Sequence, residues 1–265
     1  MPVKAKEAKD IKFAATPKKY NFENDTVYTS YEGLSARKAL GLIKPQYILP
    51  MVAAEVPEAA ILSFLFYYFA VVLPKIGAGV VLPAFVSLLL FYILDVIFGG
   101  IVGFSKTFPI RKNGSASMSK MMAMSFSSFS AFTYMLAALA LFCLKISNYI
   151  FFYIIGAIAI VSYLVTIRFG LAPLLIVARS ERTRSQALEL STQYFGGSFG
   201  AMLELSLLAI LVPAIAIAFV VISGSMLSLA VLFASILVFG AFWQLELNSA
   251  FAQFEKIKKI SYKIN

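Results

Sequence analysis

The chain has 265 residues, of which 60% are hydrophobic and 14% charged, and its formal net charge at pH 7 is +10. Soluble domains are about half apolar and about a quarter charged, so this composition excludes a soluble fold and indicates a membrane protein. The absence of histidine and the single cysteine, Cys143, exclude imidazole chemistry, internal disulfides and cysteine-ligated clusters. We therefore predict a protein that is not an enzyme, with no catalytic residue, cofactor or metal site.

Residues 1–34 are polar and basic, and no apolar stretch of the kind found in a signal peptide follows their lysines. They are predicted to form a cytosolic tail, and residues 253–265 a second basic cytosolic tail. The membrane domain is predicted to occupy residues 35–252.

Six segments of this domain are apolar over the roughly 20 residues that a helix needs to cross about 30 Å of hydrocarbon. The predicted spans are residues 48–73, 80–104, 121–144, 149–167, 199–222 and 226–248. The fourth stays apolar as far as Ala178, which is too long for a perpendicular crossing and predicts a kink at Pro173 or a protruding end. The predicted fold class is all-α, a polytopic membrane protein with six transmembrane helices.

Similar short sequences precede the first, third and fifth spans, at residues 38–47, 120–124 and 186–194. Each is predicted to form an amphipathic or interfacial helix that leads into a helical hairpin. The predicted repeating unit is thus one interfacial helix followed by two spans, used three times.

The basic residues predict the orientation of the spans. All but two of the 23 lie on one side of the predicted membrane domain, and the two exceptions are Lys75 and Lys145. Because positively charged loops are retained in the cytoplasm, both termini are predicted to be cytoplasmic, in a protein integral to the cell membrane. The net charge of +10 is then explained by contact with anionic lipid headgroups, and nucleic acid is not an expected partner.

Charged residues inside the predicted spans, or at their ends, form the candidate functional cluster. They are Glu55, Glu58, Asp95, Arg168, Glu204 and Glu246. Each costs several kcal/mol in lipid unless it is paired or hydrated, so each is expected to face the bundle interior or water. Two interpretations are open: an ion-pair network that fixes helix packing, or a polar cavity, open to the cytosol, that binds an ion, a proton or a solute.

Arg168 is the only basic residue among these six, and Asp95 is its predicted partner. Asp95 precedes Lys106 by eleven positions, and Arg168 precedes Arg179 by eleven. If Lys106 and Arg179 mark the headgroup level, both charges lie at one depth in the cytoplasmic half of the membrane.

One stretch resembles a known family. Its residues are Arg168-Phe169-Gly170-Leu171-Ala172-Pro173, Gln186-Ala187-Leu188, Ser191, Gly196, Gly197 and Gly200. In this order they resemble the six-span membrane domain of prokaryotic glycerophosphoryl diester phosphodiesterases and its uncharacterised relatives. The phosphodiesterase catalytic domain has no counterpart in this chain, so the resemblance implies the six-span architecture and no catalytic activity.

The interpretation that follows is a non-catalytic scaffold or a subunit of a membrane assembly, with membrane-protein partners or a homo-oligomer expected. The alternative is a small transporter or channel that uses the charged layer in the cytoplasmic half of the bilayer.

Overall fold

A computed structural model describes residues 43–107, 129–178 and 184–264, and within these segments the chain is all-α with no strand. The helices are α1 (Ile48–Tyr67), α2 (Val81–Lys106), α3 (Phe129–Lys145), α4 (Tyr149–Arg168), α5 (Ala172–Ala178), α6 (Arg184–Ser223) and α7 (Met226–Ile264).

Among the described residues, five helical segments are long and apolar enough to cross a membrane: Pro45–Lys75, Val81–Gly103, Tyr149–Val177, Gly200–Ser223 and Met226–Ala252. They coincide with five of the six predicted spans. The remaining one, predicted at residues 121–144, is described only from Phe129 onward, where α3 is a shorter apolar helix. Residues 121–128 lie outside the described segments.

Helix α1 lies at the centre of the bundle. It packs against α2, α3, α6 and α7. In the most apolar stretch of Pro45–Lys75, the segment that contains α1, 50% is buried inside the protein, compared with 11% in the corresponding stretch of α2. Apolar side chains such as Leu62, Phe66 and Phe69 form the main core together with Val220 of α6 and Leu232 of α7. Helix α2 instead exposes much of its apolar surface, as expected for a helix that faces lipid.

The turn between α6 and α7 is anchored on α1. Gly224 occupies this turn with a φ of 59°, a left-handed conformation that glycine adopts without steric cost. The hydroxyl of Tyr67, at the end of α1, donates a hydrogen bond to the carbonyl oxygen of Gly224 at 3.1 Å. The α6–α7 hairpin is thereby held against the end of the central helix.

The helix that contains the predicted fourth span is interrupted between Arg168 and Ala172, close to the kink predicted at Pro173. Helix α4 ends at Arg168, and a turn leads into α5, which carries Pro173 in its first turn. Proline is tolerated there because the first amides of a helix have no intrahelical partner to lose. Helix α5 is buried against α6 and α7, and Leu174, Leu175 and Val177 have no exposed surface.

Two further elements differ from the sequence-based expectation. Residues 186–194 do not form a separate interfacial helix, because they are continuous with the span in the 40-residue helix α6. Helix α7 likewise runs on past the predicted span end, to Ile264. The corresponding segments at 38–42 and 120–124 lie outside the described residues, so the threefold repeat stays a prediction.

Candidate functional site

A buried ion-pair network joins α1 to α2. The Nζ atom of Lys106 donates a hydrogen bond to Oε2 of Glu58 at 2.6 Å and forms a second ion pair with Glu55. The side chains of Lys106 and Glu55 are 7% and 3% exposed, and that of Glu58 is 25% exposed. One ammonium group therefore pairs with two carboxylates, so one negative charge is left over when both acids are ionised. Of the three side chains, only that of Glu58 is partly exposed.

Helix geometry brings these three groups together. Glu55 and Glu58 are three residues apart and so lie on the same face of α1. Side chains in a helix tilt toward its N-terminus, which directs the glutamates back along α1 and Lys106, the last residue of α2, back into the bundle. Because consecutive spans joined by a short connection are antiparallel, the acidic and basic side chains converge from opposite directions.

Helix α7 closes the network from the other side. A Cβ atom at Gly240 would lie 2.8 Å from Cδ of Glu55, so this position accepts the carboxyl group only because it has no side chain. Further along α7, Nδ2 of Asn248 donates a hydrogen bond to the carbonyl oxygen of Lys106 at 3.3 Å. This bond satisfies a carbonyl group at the end of α2, where the helix itself supplies no partner.

Asp95 lies further along α2, eleven residues before Lys106. Only 7% of the residue is exposed, and it makes no ion pair within the described segments. We refer to Glu55, Glu58 and Lys106 as the charged cluster.

The predicted ion pair between Asp95 and Arg168 is wrong. Within the described part of the chain, both ion pairs are made by Lys106, and Arg168 lies exposed at the end of α4. Lys106 is only 6% exposed and is itself the cationic partner of Glu55 and Glu58, so it does not mark the headgroup level. Equal spacing from Lys106 and Arg179 therefore does not place Asp95 and Arg168 at one depth.

The structure separates the other two acidic candidates from the charged cluster. Glu204 is exposed on α6. Glu246 on α7 has no exposed surface, and neither of its carboxyl oxygens has a hydrogen-bond partner among the residues that the structure describes. Of the six candidate residues, Glu55 and Glu58 come together on Lys106. Asp95, Arg168, Glu204 and Glu246 make no ion pair with them within the described residues.

A smaller polar contact joins α3 to α4. The hydroxyl of Thr133 lies 2.7 Å from that of Ser162 and 3.2 Å from that of Thr166. Hydroxyl groups of this kind hydrogen-bond across helices in membranes with modest energies, about 0.6 kcal/mol on average. No sequence pattern predicts this contact, because isolated hydroxyl residues occur throughout the spans.

The composition of the charged cluster limits its chemistry. Across the described segments, no group of three or more His, Cys, Asp or Glu side chains is arranged to hold a metal ion. The cluster instead sets two carboxylates of α1 against one ammonium group of α2, an arrangement suited to joining helices. Comparison with protein-family models, with curated proteins and with solved structures finds no match to this chain.

Proposed function

We propose that the protein is a six-span membrane protein of the cell membrane and acts as a non-catalytic scaffold or subunit of a membrane assembly. The observation that supports this role is the use of the intramembrane charges to join helices. Glu55 and Lys106 are almost fully buried and pair with each other, whereas charges that line an aqueous pathway are hydrated. The resemblance of residues 168–200 to six-span membrane domains favours the same architecture.

The lateral surfaces of the bundle suit assembly within the membrane. Helices α2 and α4 expose large apolar side chains along their length, among them Leu82, Phe85, Ile150 and Ile154. Such surfaces contact lipid or the helices of other membrane proteins, and the basic cytosolic segments bind anionic headgroups. No part of this role requires a substrate site.

A direct experiment compares assembly with transport. After extraction into mild detergent or native nanodiscs, we expect the protein to be recovered with stoichiometric partners or as a homo-oligomer, as measured by native mass spectrometry. Proteoliposomes that contain the purified protein alone should show no solute flux above that of empty vesicles. A purified monomer with robust, saturable flux would contradict the scaffold role.

The orientation is tested by labelling single cysteines. In a background with Cys143 replaced by serine, cysteines substituted for Lys75 and for Lys145 should react with a membrane-impermeant reagent added from outside. Reporters fused to either terminus, or inserted within residues 106–120, should lie in the cytosol. These outcomes follow from the distribution of the 23 basic residues. Protection of the Lys75 position from outside would contradict the six-span topology.

A transporter or channel is the second candidate function, and the unpaired acidic residues favour it. Asp95 and Glu246 are buried without an ion pair in the described part of the chain, and ionisable residues of this kind often mark ion or proton pathways. If flux is found, Asp95→Asn should abolish it, and the matched change Glu204→Gln at an exposed carboxylate should not.

A further inference from the structure

We propose that Glu246 is a proton-binding site: its carboxyl group is held inside the bundle as the neutral acid and releases its proton only when α7 separates from the helices packed around it. The inference goes beyond the scaffold role and holds equally for a transporter. It rests on the complete burial of Glu246, on the lack of a partner for either carboxyl oxygen, and on the apolar core beside it.

The first observation is that Glu246 is buried without a partner. None of its surface is exposed, and among the described residues neither carboxyl oxygen has a hydrogen-bond partner. Both ion pairs of the described segments are made by Lys106, so neither of them compensates a charge on Glu246. A carboxylate removed from water with no hydrogen bond and no counter-ion is far less stable than the neutral acid, which carries no charge to desolvate.

The second observation is the side of α7 on which Glu246 lies. Trp243 and Ala250, three residues before it and four residues after it, share this side of the helix. Both pack in an apolar core to which α4, α5 and α6 contribute, with Leu175 of α5 and Met202 of α6 among its buried members. The Glu246 side of α7 is therefore packed into an apolar core, where a charged form has little to stabilise it.

The titratable groups on the neighbouring helices do not change this conclusion. Helix α5 contains none, and α4 contributes to this core the phenol of Tyr163, which is neutral at neutral pH, while Arg168 at its end is exposed. Among the α6 side chains that the structure describes, the charged ones are Glu189 and Glu204, and both are exposed. The two carboxylates of α1 belong to the charged cluster and pair with Lys106.

Release of the proton requires water at Glu246. The O–H bond of the carboxyl group then breaks, the electron pair of that bond stays on the carboxylate oxygen, and the proton passes to a water molecule. Because no surface of Glu246 is exposed, water reaches it only if α7 moves away from the apolar core. Ionisation of Glu246 and opening of this helix contact are therefore thermodynamically linked.

Infrared spectroscopy tests the protonation state directly. We would record spectra of the full chain in lipid vesicles at neutral pH, with and without ¹³C in the glutamate side-chain carboxyl groups. The expected result is a carboxylic acid carbonyl band that moves on glutamate labelling and loses the intensity of one carboxyl group in Glu246→Gln, which keeps the shape of the neutral acid. The matched change Glu204→Gln, at an exposed carboxylate, should leave the band unchanged.

Two infrared results would overturn the proposal. One is an acid band whose intensity is the same in Glu246→Gln as in the unmodified protein. The other is a spectrum of the unmodified protein in which glutamate labelling moves only ionised carboxylate bands, and this result needs no variant to fold.

Unfolding provides a second measurement, because a glutamate in a hydrated, unfolded chain is ionised at neutral pH. A folded state that holds one more proton than the unfolded state loses stability as the pH rises. In mixed micelles, we expect the unfolding equilibrium constant of the unmodified protein, relative to that of Glu246→Gln, to rise about tenfold per pH unit around neutrality. Glu204→Gln should follow the unmodified protein. The same pH dependence in the unmodified protein and in Glu246→Gln would contradict a proton held at Glu246.

Discussion

Replacement of Lys106 by methionine is expected to lower the free energy of unfolding by about 3–5 kcal/mol, the usual cost of removing one partner from a buried ion pair. The substitution keeps most of the apolar length of the side chain and deletes the ammonium group that Glu55 and Glu58 share. The Glu55 carboxylate is then left buried without a cation, whereas that of Glu58 keeps its partial exposure. Reversible unfolding of the purified protein in mixed micelles would measure the loss.

Two comparisons distinguish this effect from a general loss of charge. Lys145→Met, at the exposed end of α3, should change stability by less than about 0.5 kcal/mol. Adding Glu55→Gln to Lys106→Met should recover part of the loss, because it removes one of the stranded charges. Equal effects of the two lysine substitutions, or strictly additive losses in the double variant, would contradict the buried network.

Gly240→Ala is expected to cost about 1–3 kcal/mol, the range for inserting an extra carbon into a packed interior. The new methyl group would lie 2.8 Å from Cδ and 3.3 Å from Cγ of Glu55, so the carboxyl group must move away from Lys106 or the two helices must separate. Thermal unfolding of the detergent-solubilised variant would report the change.

Gly156→Ala is a closely matched control, because Gly156 also lies within a helix and a Cβ atom there meets nothing within 4 Å. It should be neutral or stabilising by up to about 1 kcal/mol, since alanine is the better helix former. In a Glu55→Ala background the cost of Gly240→Ala should largely disappear. Equal changes in thermal stability at the two glycines would show that the Glu55 side chain does not contact α7 at Gly240.

The spans were predictable because their signal is local. A run of about 20 apolar residues specifies a helix that crosses the membrane whatever its neighbours are, and Val81–Gly103 matches its prediction to within one residue at each end. The break in the helix after Arg168 could be predicted only in part from the sequence. Excess length and Pro173 indicated an irregularity, but the buried position of α5 depends on how α6 and α7 pack around it.

The candidate site was harder to predict because its partners come from distant parts of the chain. Orientation rules treat a lysine at a span end as a surface residue, and nothing in the local sequence separates Lys106 from such a residue. Matched depth along two helices also says nothing about which helices are neighbours. Helix α2 packs mainly against α1 and α3, whereas α4 packs mainly against α3 and α6, so equal spacing along the sequence did not bring Asp95 to Arg168. Gly240 was missed for the same reason, since its role exists only where α7 meets α1.

The central position of α1 has a consequence for biosynthesis. The first of the described spans to be synthesised carries two glutamates, and the lysine that pairs with both is made 48 residues after Glu58. Until α2 is synthesised, α1 enters the membrane with both carboxyl groups unmatched, so the two helices are best inserted as a hairpin. The α1 surface that receives Gly240 stays uncovered until α7, the last of the described helices, is made. A nascent chain that stops before residue 226 therefore presents the Glu55 side of α1 to lipid, a feature by which membrane quality control can recognise an unfinished product.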